Sequence, residues 1–415
     1  MNRFTKALIG AAIAGLSATA AFAADPIKIA FIDPLSGPFA ATGQQGLAQY
    51  KFAAETLVNE QGGVLDGQKF EIVAFDNKIS PKESLIQLQV AIDQGIRYIV
   101  QGNSSGVANA LTDAIKKHNR RNPDKRVIFL NYSAVDPALT NEKCNFWHFR
   151  FDANADIKMD ALTDIIAKNE AIKKVYLIGQ DYSFGKAVAS AAVRFLGEKR
   201  PDIEIVGNEL HPIGKVKDFT PYARKIVSSG ADAMITGNWG SDMVGLGKSV
   251  ISAGFKNPIF TYYAATDGIT KTFGADGEGV LKLVGEGQLN PPVSDRADAY
   301  TKAFKAKNPD LDIGQPRITN VIEMLARAIN DAGSATDMVK VGMALEGMEH
   351  DSIWGTKVKM RESDHQAIQN VHILAHTKDG ITHDFDNSGF GLKAESTVEM
   401  ASADAPTTCK MKRPE

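Results

Sequence analysis

Five short loops carry most of the side chains in this chain that could grip a small molecule. They are Gly102-Asn103-Ser104-Ser105-Gly106, Asn131-Tyr132-Ser133-Ala134-Val135-Asp136-Pro137, Gln180-Asp181-Tyr182-Ser183-Phe184-Gly185, Gly237-Asn238-Trp239-Gly240-Ser241 and Tyr262-Tyr263-Ala264-Ala265-Thr266-Asp267. A serine loop that opens a helix offers hydroxyls, unpaired backbone N–H groups and the positive end of the helix dipole. A carboxylate can be held there without arginine or lysine. For any one loop, ordinary helix capping is the plainer reading of Ser104, Ser105 or Ser183. Two facing sets shift the balance, since Tyr182 and Trp239 from one side would meet Ser104, Ser105 and Ser133 from the other. That suits a cleft closing on a solute, with polar groups for its head and ring faces for its apolar body.

Patterns for covalent or metal chemistry are not met. Gly245-Leu246-Gly247-Lys248-Ser249 looks like a phosphate loop, but the pattern needs glycine at 242, where Asp242 stands. His372 and His376 share one face of a strand without a carboxylate or cysteine companion at a ligand spacing, so no metal is expected. The motifs are read as holding no nucleophile elbow, Cys-His signature or zincin helix. Asp76, Asp136, Asp181 and Asp267 are available, yet spacing does not pair them for acid–base work. The expectation is a binder with no cofactor and no catalytic residue, not an enzyme.

The loops follow short apolar runs that must be the strands positioning them. From residue 27 to 130 the pattern alternates strands (27–32, 70–75, 98–101, 127–130) with amphipathic helices (46–61, 81–94, 107–118). A second series repeats it, with strands at 174–178, 203–208, 233–236 and 258–262 and helices at 183–198, 219–229 and 243–253. Such alternation implies an α/β fold of two lobes with parallel sheets covered on both faces. After a turn through 285–292 the helices 296–307, 318–332 and 336–346 have no strands between them. They would complete an existing lobe, which requires the chain to cross between lobes more than once. The expected division is 24–148 with 288–346 for the first lobe, 149–287 with 347–392 for the second, and an irregular tail at 393–415.

The 415 residues carry 47 basic and 49 acidic side chains, which gives no electrostatic case for a nucleic-acid or anionic-membrane partner. At the start, Arg3 and Lys6 precede an apolar run from Ala7 to Ala21 and a small-x-small site at Ala21-Phe22-Ala23, the features of a cleaved export signal at 1–23. The run is short for a membrane span, and no cysteine near the site suggests a lipid anchor. A mature chain from Ala24, outside the cytoplasmic membrane, is expected. Only Cys144 and Cys409 occur, and in an oxidising compartment they read as one disulfide or as two unpaired buried thiols.

Leu35-Ser36-Gly37-Pro38 with Gly43, Val58-Asn59-Glu60-Gln61-Gly62-Gly63, Gly67, Asp76-Asn77 and Pro81 resemble the periplasmic solute-binding proteins of the branched-chain amino acid type. The stretches 95–106 and 133–140, Asp181-Tyr182-Ser183-Phe184-Gly185 and Asp218-Phe219 extend the likeness over the whole mature chain. The resemblance implies two Rossmann-like lobes joined by a three-segment hinge, a monomer, a small solute clamped between the lobes, and delivery to an inner-membrane ABC permease. It places the cargo carboxylate on Ser104 or Ser105 with Ser133 and Val135. Phe39 and Thr42 would contribute from the first turn, and Tyr182, Phe184, Trp239 and Tyr263 from the second lobe. Two positions depart from the pattern: Val135 stands for the usual threonine, and the acid that pairs the ligand ammonium falls at Ala264, with Asp267 the nearest carboxylate. A buried ammonium without a counter-charge is costly, so an aromatic or aliphatic acid or an amide stands beside an amino acid as expected cargo. A periplasmic sensor domain is the runner-up of the same fold, and an exported α/β enzyme the reading from another class.

Overall fold

The computed structural model describes residues 25–265 and 267–414; the export signal read at 1–23 lies outside the described residues. Strands β1 (Ile27–Asp33), β2 (Phe70–Asp76), β3 (Tyr98–Gln101), β4 (Ile128–Asn131) and β5 (His148–Arg150) form a wholly parallel sheet in the order β2-β1-β3-β4-β5. Every residue of β3 and β4 is buried, so they appear in sequence as unbroken apolar runs. The helices between them are punctuated locally. Pro81–Asp93, for example, starts on Ser80, whose hydroxyl accepts from Glu83 N at 3.3 Å, with proline at the first helical position.

The second sheet begins with β6 (Lys174–Gln180), β7 (Glu204–His211), β8 (Ala233–Thr236), β9 (Ile259–Thr261) and β10 (Leu281–Gly285), all parallel. A small antiparallel sheet of β11 (Glu349–Asp351), β12 (Lys357–Met360) and β13 (Ala367–Ile368) follows, and then β14 (Val371–Thr377) and β15 (Gly391–Val398). β14 adds antiparallel to β10 and β15 antiparallel to β14, which gives the order β15-β14-β10-β9-β8-β6-β7. One glycine device recurs in both lobes. A Cβ at Gly43 would lie 1.7 Å from Pro34 O and one at Gly185 1.9 Å from Gln180 O, so each lobe's first helix can start hard against its strand only with glycine there.

The fold is the α/β, two-lobed arrangement expected, with differences in the last third. The stretch 393–415 is not all tail, because Gly391–Val398 completes the second sheet and Met400–Ala403 adds a helical turn. Met348, Val358, Met360 and Ala367 pack into the first lobe's core rather than the second's, and Ala297, Tyr300 and Phe304 pack with the second lobe's residues. Cys144 and Cys409 are joined, with Cα atoms 5.8 Å apart across 265 residues of sequence, which ties the chain end to the first lobe. The crossing segments are bound to one another: Gln369 Nε2 donates to Phe151 O at 2.9 Å and Gln366 Nε2 to Asp152 O at 2.8 Å. No helix among the described residues is long and apolar enough to cross a membrane.

Candidate functional site

Each sheet reverses its strand order once, between β1 and β3 and between β6 and β8, and open α/β sheets bind ligands beyond the strand ends at such points. The loops there are 102–105 after β3, 181–184 after β6 and 237–239 after β8. They line one cavity, with Thr42, Ser104, Ser105, Ser133 and Val135 contributed by the first lobe and Tyr182, Phe184, Trp239 and Tyr263 by the second. It leaves about 60 Å³ for the centres of water molecules, against the roughly 10–15 Å³ that one water needs. Phe39 and Asp267 stand off its wall, at contacts between the lobes. The Phe39 ring lies 4.3 Å from that of Trp239, and Thr42 Oγ1 donates to Asp267 Oδ2 at 2.5 Å.

Ser104 precedes the helix Ser105–Arg121 at φ 82°, a region that non-glycine residues rarely adopt, and makes no side-chain cap bond. Asp33, at the end of β1, holds this loop: its carboxylate accepts from Asn103 N at 2.9 Å, Gly102 N at 3.2 Å and Tyr132 OH at 2.6 Å. Burial pushes the Asp33 carboxyl up to about 7, against the pull of these donors. Ser105 Oγ accepts from Asp136 N at 3.2 Å, bracing the serine loop against the loop after β4. The capping reading of Ser104 and Ser183 therefore fails, since neither hydroxyl caps its helix.

The same distinction separates whole groups of helices. Those beginning at Ala40, Ser105, Ser183 and Gly240 lack a side-chain cap. Those beginning at Pro81, Ala155, Asp295 and Met338 are capped by Ser80, Asn154, Ser294 and Asp337. Residues at these four N-termini, Thr42, Ser105, Tyr182 with Phe184, and Trp239, line the cavity, although the helices Thr220–Ser228 and Arg317–Ala332 also lack a side-chain cap.

Gly102-Asn103-Ser104-Ser105-Gly106 does spell the Gly-x-Ser-x-Gly of a nucleophile elbow, which corrects the motif reading above. No histidine is among the cavity-lining residues, so the Ser104 hydroxyl has no imidazole base beside it there. Gly245-Leu246-Gly247-Lys248-Ser249 lies inside the helix Gly240–Ser252, not in a phosphate-binding loop. His372 Nδ1 meets Thr397 Oγ1 at 2.9 Å, and His376 Nε2 meets Gly274 O at 2.8 Å.

The rings of the second lobe brace one another. Trp239 Nε1 donates to Tyr182 OH at 2.8 Å, and Phe184 packs against Tyr262 and Tyr263 at 5.4 and 5.8 Å between centroids. Tyr263 OH reaches across to Ser133 O at 3.0 Å and Asp152 Oδ2 at 3.2 Å. Burial pushes both phenols, Tyr182 and Tyr263, up, which keeps them neutral donors at neutral pH.

Sequence reasoning missed a buried charge cluster at the base of the cleft. Asp152 Oδ1 is 2.6 Å from Lys158 Nζ, Glu286 Oε1 3.2 Å from the same ammonium, and Arg317 bridges Asp152 at 3.2 Å and Glu286 at 3.4 Å. Arg317 also donates to Ser133 Oγ at 2.7 Å and to Tyr132 O. Burial raises the Asp152 carboxyl, but Arg317 and Lys158 outweigh it and hold it below the usual range. Burial and the Asp152 charge push Glu286 up to about 7. The four residues come from 152, 158, 286 and 317, so no local motif announces them. The one available signal was a lysine flanked by Ile157 and Met159 in a segment that folds as the helix Ala155–Lys168.

A family model described as periplasmic binding protein matches residues 26–380. A Leu/Ile/Val-binding protein homolog 4 of Brucella melitensis biotype 1 is 31% identical and covers 99% of this chain and 99% of its own length. Among solved structures, a leucine-, isoleucine-, valine-, threonine-, and alanine-binding protein from Brucella ovis in a closed conformation superimposes with a TM-score of 0.81. It is 29% identical, covering 94% of this chain and 100% of that one. A solute-binding protein of an R. palustris ABC transporter, solved with benzoate, shares the fold at a TM-score of 0.76 and 20% identity, covering 93% and 99%.

Proposed function

The chain belongs to the periplasmic binding protein family of ABC-transporter solute-binding proteins, and on that premise we propose that its lobes close on a small carboxylate and hand it to a membrane permease. The observation that carries the reading is the convergence of four uncapped helix N-termini and the hydroxyls of Thr42, Ser104, Ser105 and Ser133 on one cavity roofed by rings. In this reading the carboxylate sits on Ser104, Ser105 and Ser133 with the backbone near Val135. Tyr182, Phe184, Trp239 and Tyr263 cover the apolar body, and Phe39 closes on Trp239. The protein works in the periplasm as a monomer, after removal of residues 1–23.

A branched-chain amino acid is the cargo suggested by the name of the Brucella melitensis relative, with Asp267 the candidate partner for its ammonium. An aromatic or aliphatic acid is the second reading, favoured by the buried methyl of Ala264 on the cavity wall. Thermal-shift and calorimetric titration of the mature chain with leucine, valine, benzoate and a neutral amide decides between them, because binding to the folded state raises apparent stability by mass action. Saturable binding of a carboxylate or amino acid is expected. Failure of every one of these to bind, or release of a chemically altered product, overturns the reading.

A further inference from the structure

The cavity does not end at the rings. Its wall continues through Ala264 and Ala265 to Leu283, Leu289, Ile313, Leu374, Phe385 and Leu392. Leu283 and Leu374 are register partners on β10 and β14. All eight belong to the apolar cluster on the face of the second sheet that packs with Ala297, Tyr300 and Phe304. Tyr262, Phe184 and Val284 belong to the cluster on the other face. The cavity thus has an apolar arm walled by these eight residues, with Glu286, Gln315 and Arg317 on the lining nearer the serine loops.

At the other end, the charged side chains on the wall are already engaged with one another. Lys158 and Arg317 neutralise Asp152 and Glu286, and each of the four makes ion pairs at 3.4 Å or less. A cargo ammonium placed here would add a third cation to two acids in a buried site, which is unfavourable. A carboxylate meets hydroxyls and helix N-termini instead, and an apolar tail meets leucines.

We propose that the cargo is a monocarboxylate without an α-ammonium, and that its apolar chain or ring extends beyond a branched-chain side chain into this arm. The proposal rests on the reading that the cleft takes a carboxylate head. The test is calorimetric titration of the mature chain with straight-chain acids from butanoate to decanoate, with leucine and 2-aminooctanoate alongside. The Kd is expected to fall about fourfold per added methylene until the arm is filled, and octanoate to bind more tightly than 2-aminooctanoate. Butanoate or leucine binding with no gain for longer acids would overturn the arm and leave the cleft reading standing. Binding by none of these ligands would overturn both. Leu392→Trp, which fills the arm, is expected to weaken octanoate about tenfold more than butanoate. An equal loss for both acids would overturn the proposal.

Discussion

The two rims of the cleft are built from opposite chemistries. The first lobe presents the hydroxyls of Thr42, Ser104, Ser105 and Ser133, with the serine loop held by an acid at a strand end. The second presents indole and phenol rings that hydrogen-bond to one another, to the opposite lobe and to the crossing segment. Under the function proposed above, polar sites preformed on one lobe would engage a charged head while the cleft is open, and rings on the other would gain contact only on closing. Closure is then driven by what the rings and the Phe39–Trp239 and Thr42–Asp267 contacts add in the closed form, since a ligand shifts such an equilibrium only by its differential affinity. Each side holds one non-glycine residue at positive φ beside the cleft, Ser104 at 82° and Asp267 at 65°.

The strongest way to break this division is at the cluster joining the rims. Arg317→Ala leaves Asp152 and Glu286 with one buried cation and removes the donor to Ser133, so a loss of about 3–5 kcal/mol in unfolding stability is expected, read by urea titration. A loss under about 1 kcal/mol would mean that the lobes are tied together elsewhere. Next comes the ring side alone. Trp239→Ala removes the partner of Phe39 and of the Tyr182 hydroxyl together, and is expected to weaken cargo binding by about 2 kcal/mol with the fold retained, measured by calorimetry. Unchanged affinity would take the indole out of the closing contact.

How much of this was legible in the chain depended on the range of the signal. The loops after β3, β6 and β8 were readable because each follows a strand buried throughout or, in β6, past its first residue, and opens a helix. β5 was not, because His148-Phe149-Arg150 is three residues with polar ends, and its burial is decided by the segments packed on it. β15 was missed for a related reason: only Gly391 and Leu392 of Gly391–Val398 are buried, the rest being half-buried or exposed at the sheet's edge, and it has no apolar run. The cluster of Asp152, Lys158, Glu286 and Arg317 is assembled wholly by the chain crossings, so its charges looked like ordinary surface charges. Capping was the plainer reading of Ser104 taken alone, and only the hydrogen bonds of the folded chain, not the residue type, show that its hydroxyl makes no cap bond.

A smaller effect separates geometry from chemistry on the first rim. Ser104→Gly removes the hydroxyl but suits φ 82° better than serine does. Stability is expected to hold or rise by up to about 1 kcal/mol while affinity falls, which calorimetry and denaturation read separately. Loss of both would show that the hydroxyl, not the loop shape, supports the fold.

An effect spread over pH tests which side of the cleft carries the titrating acid. Glu286, pushed up to about 7 in the folded chain, keeps a proton there that the unfolded chain releases above about 4.5. Its contribution to stability is therefore complete below about 4.5 and lost as pH rises through about 7. Asp33 under the serine loop acts in the same sense, with its carboxyl also near 7. Asp152, held low, loses its contribution only in more acidic solution. His148, His372 and His376, kept neutral by burial, oppose the trend below about 6.5. The raw profile mixes these groups, but the difference between the parent chain and Glu286→Gln isolates one of them. Between pH 5 and 7 the parent is expected to lose stability relative to the variant by roughly 1 kcal/mol per unit at most. A difference that stays flat across this range would show that Glu286 does not titrate there and would remove it as a source of the pH dependence.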